Sequence, residues 1–235
     1  MSETGDIFYS PTEGGRIISV SVEQNVKQIL RTLPGGVKLV AVAKTRTPEQ
    51  ILEAVAAGIK VVGENYVKEA EQARAVIGDR VVWHLIGHLQ HNKVKKVVQL
   101  FDVIESVDSA DIAREIDRRC GQTGKIMPVL IEVNSGREAQ KSGVFPENVE
   151  DLVRQSAELP NIRVAGLMTI GPLLENPEDS RPYFAATKKL FEKIKGLKLP
   201  GVNMEYLSMG MSNSYQVAIE DGANVVRIGR KIFEG

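Results

Sequence analysis

The chain has 235 residues, 43% hydrophobic and 26% charged, with 30 basic and 30 acidic side chains that cancel. That is an ordinary globular composition with enough chain for one sizeable core, and nothing in it steers the whole molecule toward nucleic acid or an anionic membrane. One cysteine, Cys120, excludes an internal disulfide, no apolar stretch approaches the roughly 20 residues a bilayer span needs, and residues 1–9 lack a secretory pattern, so the expected setting is cytoplasmic.

Residues 1–20 are polar, contain Gly and Pro and show no sustained period; they read as a flexible N-terminal extension. Ser21 is a predicted cap for an extra helix over 22–33, with Val22, Val26, Ile29, Leu30 and Leu33 on one face. Pro34-Gly35-Gly36 ends it, and eight short, β-branched apolar runs follow: 37–43, 59–63, 81–86, 101–107, 126–133, 164–170, 202–209 and 224–228. Helical patterns lie between them. Thr47-Pro48 opens 49–57 before Gly58, Asn65 opens 66–77 before Gly78, and 91–100 follows. Ser109 opens 110–120 before Gly121, Pro146 opens a helix through Ala157, Pro182 opens one through Ile194, and Ser212 opens the last through Glu220.

Apolar runs alternating with helices mean βαβ units and a parallel sheet. Eight of them predict an α/β chain folded as a single (β/α)8 TIM barrel over 21–235. A doubly wound open sheet is the rival, but the first strand is followed by Lys44-Thr45-Arg46-Thr47 rather than by a glycine-rich dinucleotide fingerprint.

Functional groups of a barrel gather at the C-terminal ends of its strands. Lys44 follows the first strand, and an amine in low-dielectric surroundings favours the neutral, carbonyl-attacking form. Ser208 to Ser214 follows the seventh strand, and Arg227-Ile228-Gly229 ends the eighth. Free N–H groups where a helix opens at Ser212 attract an anion, and Gly229 lets backbone come close from the other side. Alone, a lysine after a strand is usually a solvated residue and Ser212-Asn213-Ser214 a simple helix cap. Jointly, an amine and a phosphate cradle point to a phosphorylated aldehyde, and pyridoxal 5′-phosphate is the obvious one. His84, His88 and His91 have metal-like offsets but no acid or cysteine cluster to complete a site. Lys93, Lys95 and Lys96 read as a solvated face, and the 137–143 loop reads equally as a cover for the barrel mouth or as ordinary exposed chain.

Several motifs then resemble one family in order: Val40-Ala41-Val42-Ala43-Lys44-Thr45, Gly63-Glu64-Asn65-Tyr66, Trp83 to Lys93, Gly166-Leu167-Met168, Leu207 to Ser212 and Val226 to Gly229. They are similar to the pyridoxal phosphate homeostasis proteins, whose barrel is similar to the N-terminal domain of alanine racemase. The resemblance implies that Lys44 holds the cofactor as a Schiff base. It implies that Ser208, Met211 and Ser212, with the backbone of Gly229 and Arg230, surround the phosphate, and that Arg227 faces the pyridine nitrogen. Asn65, His84 and Met168 match positions near the ring. Arg230 departs from the small or hydroxyl residue usual there; a backbone contact survives this, and the guanidinium can replace a hydroxyl.

Arg227 is a permanent cation and cannot accept the ring-nitrogen proton, which makes the cofactor a poorer electron sink. In alanine racemases the opposite acid/base is a tyrosine of an added β-domain, for which these 235 residues leave no room. The expectation is therefore a non-catalytic pyridoxal phosphate-binding protein acting in vitamin B6 and amino-acid balance. Pyridoxal phosphate-dependent apo-enzymes are its candidate recipients, and a monomer is the default state. An amino-acid racemase is the alternative, and a cofactor-free Schiff-base aldolase a third.

Overall fold

A computed structural model describes residues 21–172 and 174–234; the expected extension at 1–20 lies outside the described residues. In chain order the elements are α1 (Val22–Thr32), β1 (Lys38–Val42), α2 (Pro48–Ala56), β2 (Val61–Glu64), α3 (Val67–Ile77), β3 (Val82–Leu85), α4 (Val94–Leu100), β4 (Val103–Val107), α5 (Ala110–Gly121), β5 (Met127–Val133), α6 (Val149–Ala157), β6 (Ile162–Thr169), α7 (Arg181–Gly196), β7 (Val202–Ser208), α8 (Tyr215–Glu220), β8 (Val225–Ile228) and α9 (Arg230–Phe233). The eight parallel strands close into a barrel in sequence order, β8 pairing with β1 through Lys38–Val225 to Ala41–Ile228.

Local chemistry sets the boundaries. Ser21 caps α1 in a reciprocal capping box with Gln24, Thr47 does the same for α2 with Gln50, and Pro48 occupies the first turn of α2. The extra helix α1 is tied to the end of the chain where Asn25 Nδ2 donates to the Ile232 carbonyl at 3.1 Å. Strand alternation then sorts side chains between two compartments. Ala41, Val62, Trp83 and Leu85 join the large core between barrel and helices. Val40, Val61 and Val225 face the lumen against Tyr206, and Leu130, Ala165 and Met168 form a second lumen cluster.

One glycine is required by the closure. A Cβ on Gly166 of β6 would stand 1.8 Å from the Tyr206 carbonyl oxygen of β7, so only glycine allows these strands to approach.

The helix after β7 begins later than predicted, and a further short helix, α9, follows β8. Ser212 and Asn213 form a turn closed by Ser214 N–H on the Met211 carbonyl at 2.9 Å, and α8 starts at Tyr215. Gly210 permits this turn at φ +91°, where a Cβ would lie 2.6 Å from that of Ala218.

Candidate functional site

Lys44 stands two residues beyond β1, and the next residue, Thr45, has φ +64°, a costly conformation for a β-branched side chain. Two bonds hold it there: Thr45 N–H donates to Glu69 Oε2 at 3.0 Å, and Thr45 Oγ1 donates to the Lys44 carbonyl at 2.6 Å. This turn aims Lys44 into a cavity of about 420 Å3 at the C-terminal end of the barrel. Met211, Ser212, Arg227, Gly229 and Arg230 line the same cavity. The amine after the first strand and the turns after the seventh and eighth therefore converge.

The amine is not desolvated as expected. Lys44 is exposed, because the chain leaves the sheet after Val42 and only Ala43 stays buried; the nearest aromatic is Tyr66, whose ring centroid lies 5.8 Å from Nζ. Across the cavity, the backbone N–H groups of Ser212, Asn213, Gly229 and Arg230 make no hydrogen bond among the described residues. Four unpaired amides beside a pocket form an anion cradle. The Arg230 side chain is exposed at the rim and makes no ion pair among the described residues, whereas Arg46 is paired with Glu234.

Four expected residues do not line this cavity. Ser208 is fully buried beneath it: its hydroxyl donates to Glu105 Oε2 at 2.6 Å and accepts from Arg227 Nη1 at 2.6 Å, so it is spent inside the lumen rather than offered to a phosphate. Met168 is fully buried in the lumen cluster with Leu130 and Ala165. Asn65 lines a neighbouring cavity with Tyr66 and His88. His84 pairs in register with Val103, the first residue of β4, and so sits low in the barrel; it lines a cavity at the opposite end. His88 and His91 are exposed and face Asp108 and Glu115 instead, and no metal-holding group of three ligands exists among the described residues.

The residue that sequence reasoning missed is Glu105. It is wholly buried in the lumen, with His84 Nδ1 at 2.5 Å, Ser208 Oγ at 2.6 Å and Arg227 Nη1 at 3.9 Å. Burial works against its charge, yet His84, Arg227 and Ser208 outweigh it and hold the carboxyl below the ordinary range. Arg227 completes the arrangement by donating from Nη2 to the Thr169 carbonyl at 2.8 Å. The arginine that lines the mouth cavity is thus clamped from below by three strands.

Two further carboxyls near the mouth shift the other way. Burial and Asp108 push Glu132 up to about 7, against the pull of Arg227. Burial and Glu69 push Glu64 up to about 8, and Glu64 Oε2 is buried without a hydrogen-bond partner among the described residues. A raised folded-state value means that Glu64 contributes its full share of stability below about 4.5 and loses it as pH rises through about 8. Glu64→Gln should therefore match the wild type near about pH 5 and exceed it by on the order of 3 kcal/mol near about pH 8.5. Urea titrations at several pH values check this; a constant difference between the two proteins contradicts it.

A closed eight-stranded barrel with a rim lysine opposite an anion cradle defines a class, and the family model for the alanine racemase N-terminal domain matches residues 19–234. A pyridoxal phosphate homeostasis protein of Aquifex aeolicus is 45% identical over 172 residues, covering 73% of this chain and 75% of that protein. One from Helicobacter pylori is 38% identical over 154 residues, covering 65% and 66%. The chain belongs to the pyridoxal phosphate homeostasis protein family. Among solved structures, PipY of Synechococcus elongatus PCC7942, determined with PLP bound, superposes with a TM-score of 0.83 at 32% identity, over 91% of this chain and 100% of that one. An alanine racemase of Clostridium difficile 630 shares the fold alone, with a TM-score of 0.75 at 16% identity over 90% of this chain and 56% of that one.

Proposed function

We propose that this protein binds pyridoxal 5′-phosphate in the mouth cavity, through Lys44 and the facing amides, and holds it for the cell's cofactor pool rather than for turnover. The observation that carries the reading is the convergence of Lys44 with Ser212, Gly229 and Arg230 on one cavity of about 420 Å3, a volume that suits a group of this size. PipY, of similar length and fold, was solved with PLP bound, and the curated relatives are named for its homeostasis.

The cofactor supplies an aldehyde to attack, a ring that withdraws electrons and a phosphate to grip. The protein's part follows from its own groups. Lys44 offers an exposed primary amine on a turn fixed by Glu69. The amides of Ser212, Asn213, Gly229 and Arg230 offer donors to a phosphate, and Arg230 adds a cation. Arg227 presents a fixed cation to whatever enters, and a guanidinium neither takes nor gives a proton at neutral pH. Asn65, Ser208, His84 and Met168 act, on this reading, behind the cavity wall. Pyridoxal phosphate-dependent apo-enzymes are the expected recipients, and a monomer in the reducing cytosol the expected state; the one cysteine, Cys120, is buried. Among the described residues no helix is long and apolar enough to cross a membrane.

One observation favours a second, enzymatic reading. Glu132 is a lumen carboxyl pushed up to about 7, a value suited to moving protons at neutral pH. Deuterium exchange at the α-carbon of an amino-acid panel separates the two. The holding function predicts no more exchange from the cofactor-loaded protein than from free cofactor. Exchange that depends on Lys44 and is lost in Glu132→Gln overturns it in favour of an enzyme.

A further inference from the structure

The barrel is also open at its other end. A cavity of about 460 Å3 lies where β1, β2 and β3 begin, lined by Lys38, Val61 and Val82 from their first residues, whereas Lys44 lies beyond the end of β1. Its walls are apolar: Leu30, Leu39 and Ile59 join the two valines. Its polar groups are few and placed at two depths.

At the floor sits His84, only 6% exposed. Its Nδ1 is taken by Glu105 at 2.5 Å, while Nε2 makes no hydrogen bond among the described residues. Glu105 is held ionised, so it only accepts, and the shared proton belongs to Nδ1. Nε2 is thus left without a partner where it opens on the cavity floor, and a ligand hydroxyl, which both donates and accepts, can meet it there. At the rim stand two cations. Lys38 Nζ donates to Tyr206 Oη at 2.9 Å, and Lys60 makes no ion pair among the described residues. Glu205, the acid paired with Lys38, is shared between Lys38 at 3.8 Å and Arg163 at 3.7 Å, which leaves the rim positive.

We propose that this cavity is a second ligand site, for a small monocarboxylate with an apolar or aromatic body and a hydroxyl at the far end. The carboxylate meets Lys38 and Lys60, the body lies along the valines, and the hydroxyl forms a hydrogen bond with His84 Nε2. A polyanion is disfavoured, because inward of the two rim lysines the walls are mostly apolar and offer a second anionic group no cation. Nothing in this assignment depends on what occupies the mouth cavity.

Calorimetry on the full-length protein without cofactor tests it, with 3-(4-hydroxyphenyl)propionate as the probe. Saturable one-to-one binding is expected. 3-Phenylpropionate should bind several-fold more weakly for lack of the hydroxyl, and 3-phenylpropan-1-ol about tenfold more weakly for lack of the charge. Val82 is 42% exposed, so Val82→Trp fills the opening at little cost to the fold and should weaken the probe at least about tenfold. Should that variant misfold by circular dichroism, the exposed pair Lys38→Gln/Lys60→Gln replaces it, and acid and alcohol should then bind alike. No saturable binding up to about 5 mM, or affinity unchanged by either variant, overturns the site.

Discussion

Lys44→Ala should abolish the visible imine absorption of the cofactor-loaded protein while leaving the barrel intact. The two halves of this expectation have separate physical grounds. Lys44 is exposed, and its side chain makes no hydrogen bond or ion pair among the described residues. Its removal costs the fold within about 0.5 kcal/mol, as exposed substitutions away from special features do. The nearby turn does not depend on it either, since Thr45 is held through its own N–H and hydroxyl. Lost absorption therefore reports lost attachment rather than unfolding. The anion cradle remains, so the variant should still bind the cofactor weakly and reversibly through the phosphate; spectroscopic titration and borohydride trapping with peptide mapping check both points. Full retention of the band by a natively folded Lys44→Ala protein would falsify the assignment of this amine.

The barrel was legible because each strand is an apolar run closed by its own punctuation. Thr47-Pro48, Ser109 and Gly58 act locally, through caps and turns that need no tertiary partner. Lys44 and Gly229 were legible for the same reason: each lies within two residues of a strand's end, and strand ends in a barrel share one rim. Depth within the lumen was not legible. His84 shares a motif with His88, which is at the rim, but it is fixed by register with Val103 near the foot of β4. Ser208 ends its strand and still points inward, where Arg227 and Glu105 claim its hydroxyl. The start of α8 was ambiguous because Ser212, Asn213 and Ser214 are all competent caps, and the choice falls to a turn that Gly210 makes possible.

Glu105 did leave a signal. Val103-Ile104-Glu105-Ser106-Val107 is an apolar run with an acid at its centre, and strands of an all-parallel barrel are buried on both faces. A carboxylate there is intolerable unless other strands bring it donors, so it announces partners without naming them. Naming them takes the closed register, which delivers His84 from β3, Ser208 from β7 and Arg227 from β8.

From that arrangement follows the second large effect: Glu105→Ala should destabilise the fold by about 4 kcal/mol, the cost of leaving a buried charge without its partner. Arg227 is 3% exposed, and burial already drives its pKa down, with Glu105 the first charge opposing that. Take Glu105 away and the guanidinium keeps only Ser208 and the Thr169 carbonyl, while His84 Nδ1 loses its acceptor. Glu105→Gln keeps the shape and one acceptor, so its cost should be clearly smaller, which separates charge from packing. The pH dependence has a definite sign. The folded-state value of Glu105 is lowered, so its stabilisation is fully present above about 4.5 and fades as pH falls below the ordinary carboxylate range. Urea denaturation should accordingly show the gap between wild type and Glu105→Ala wide at neutral pH and closing in acid. A gap of under about 1 kcal/mol at neutral pH would mean that Arg227 finds another counter-charge, and Glu132, the other carboxyl that acts on it, is where to look, with the double variant Glu105→Ala/Glu132→Gln.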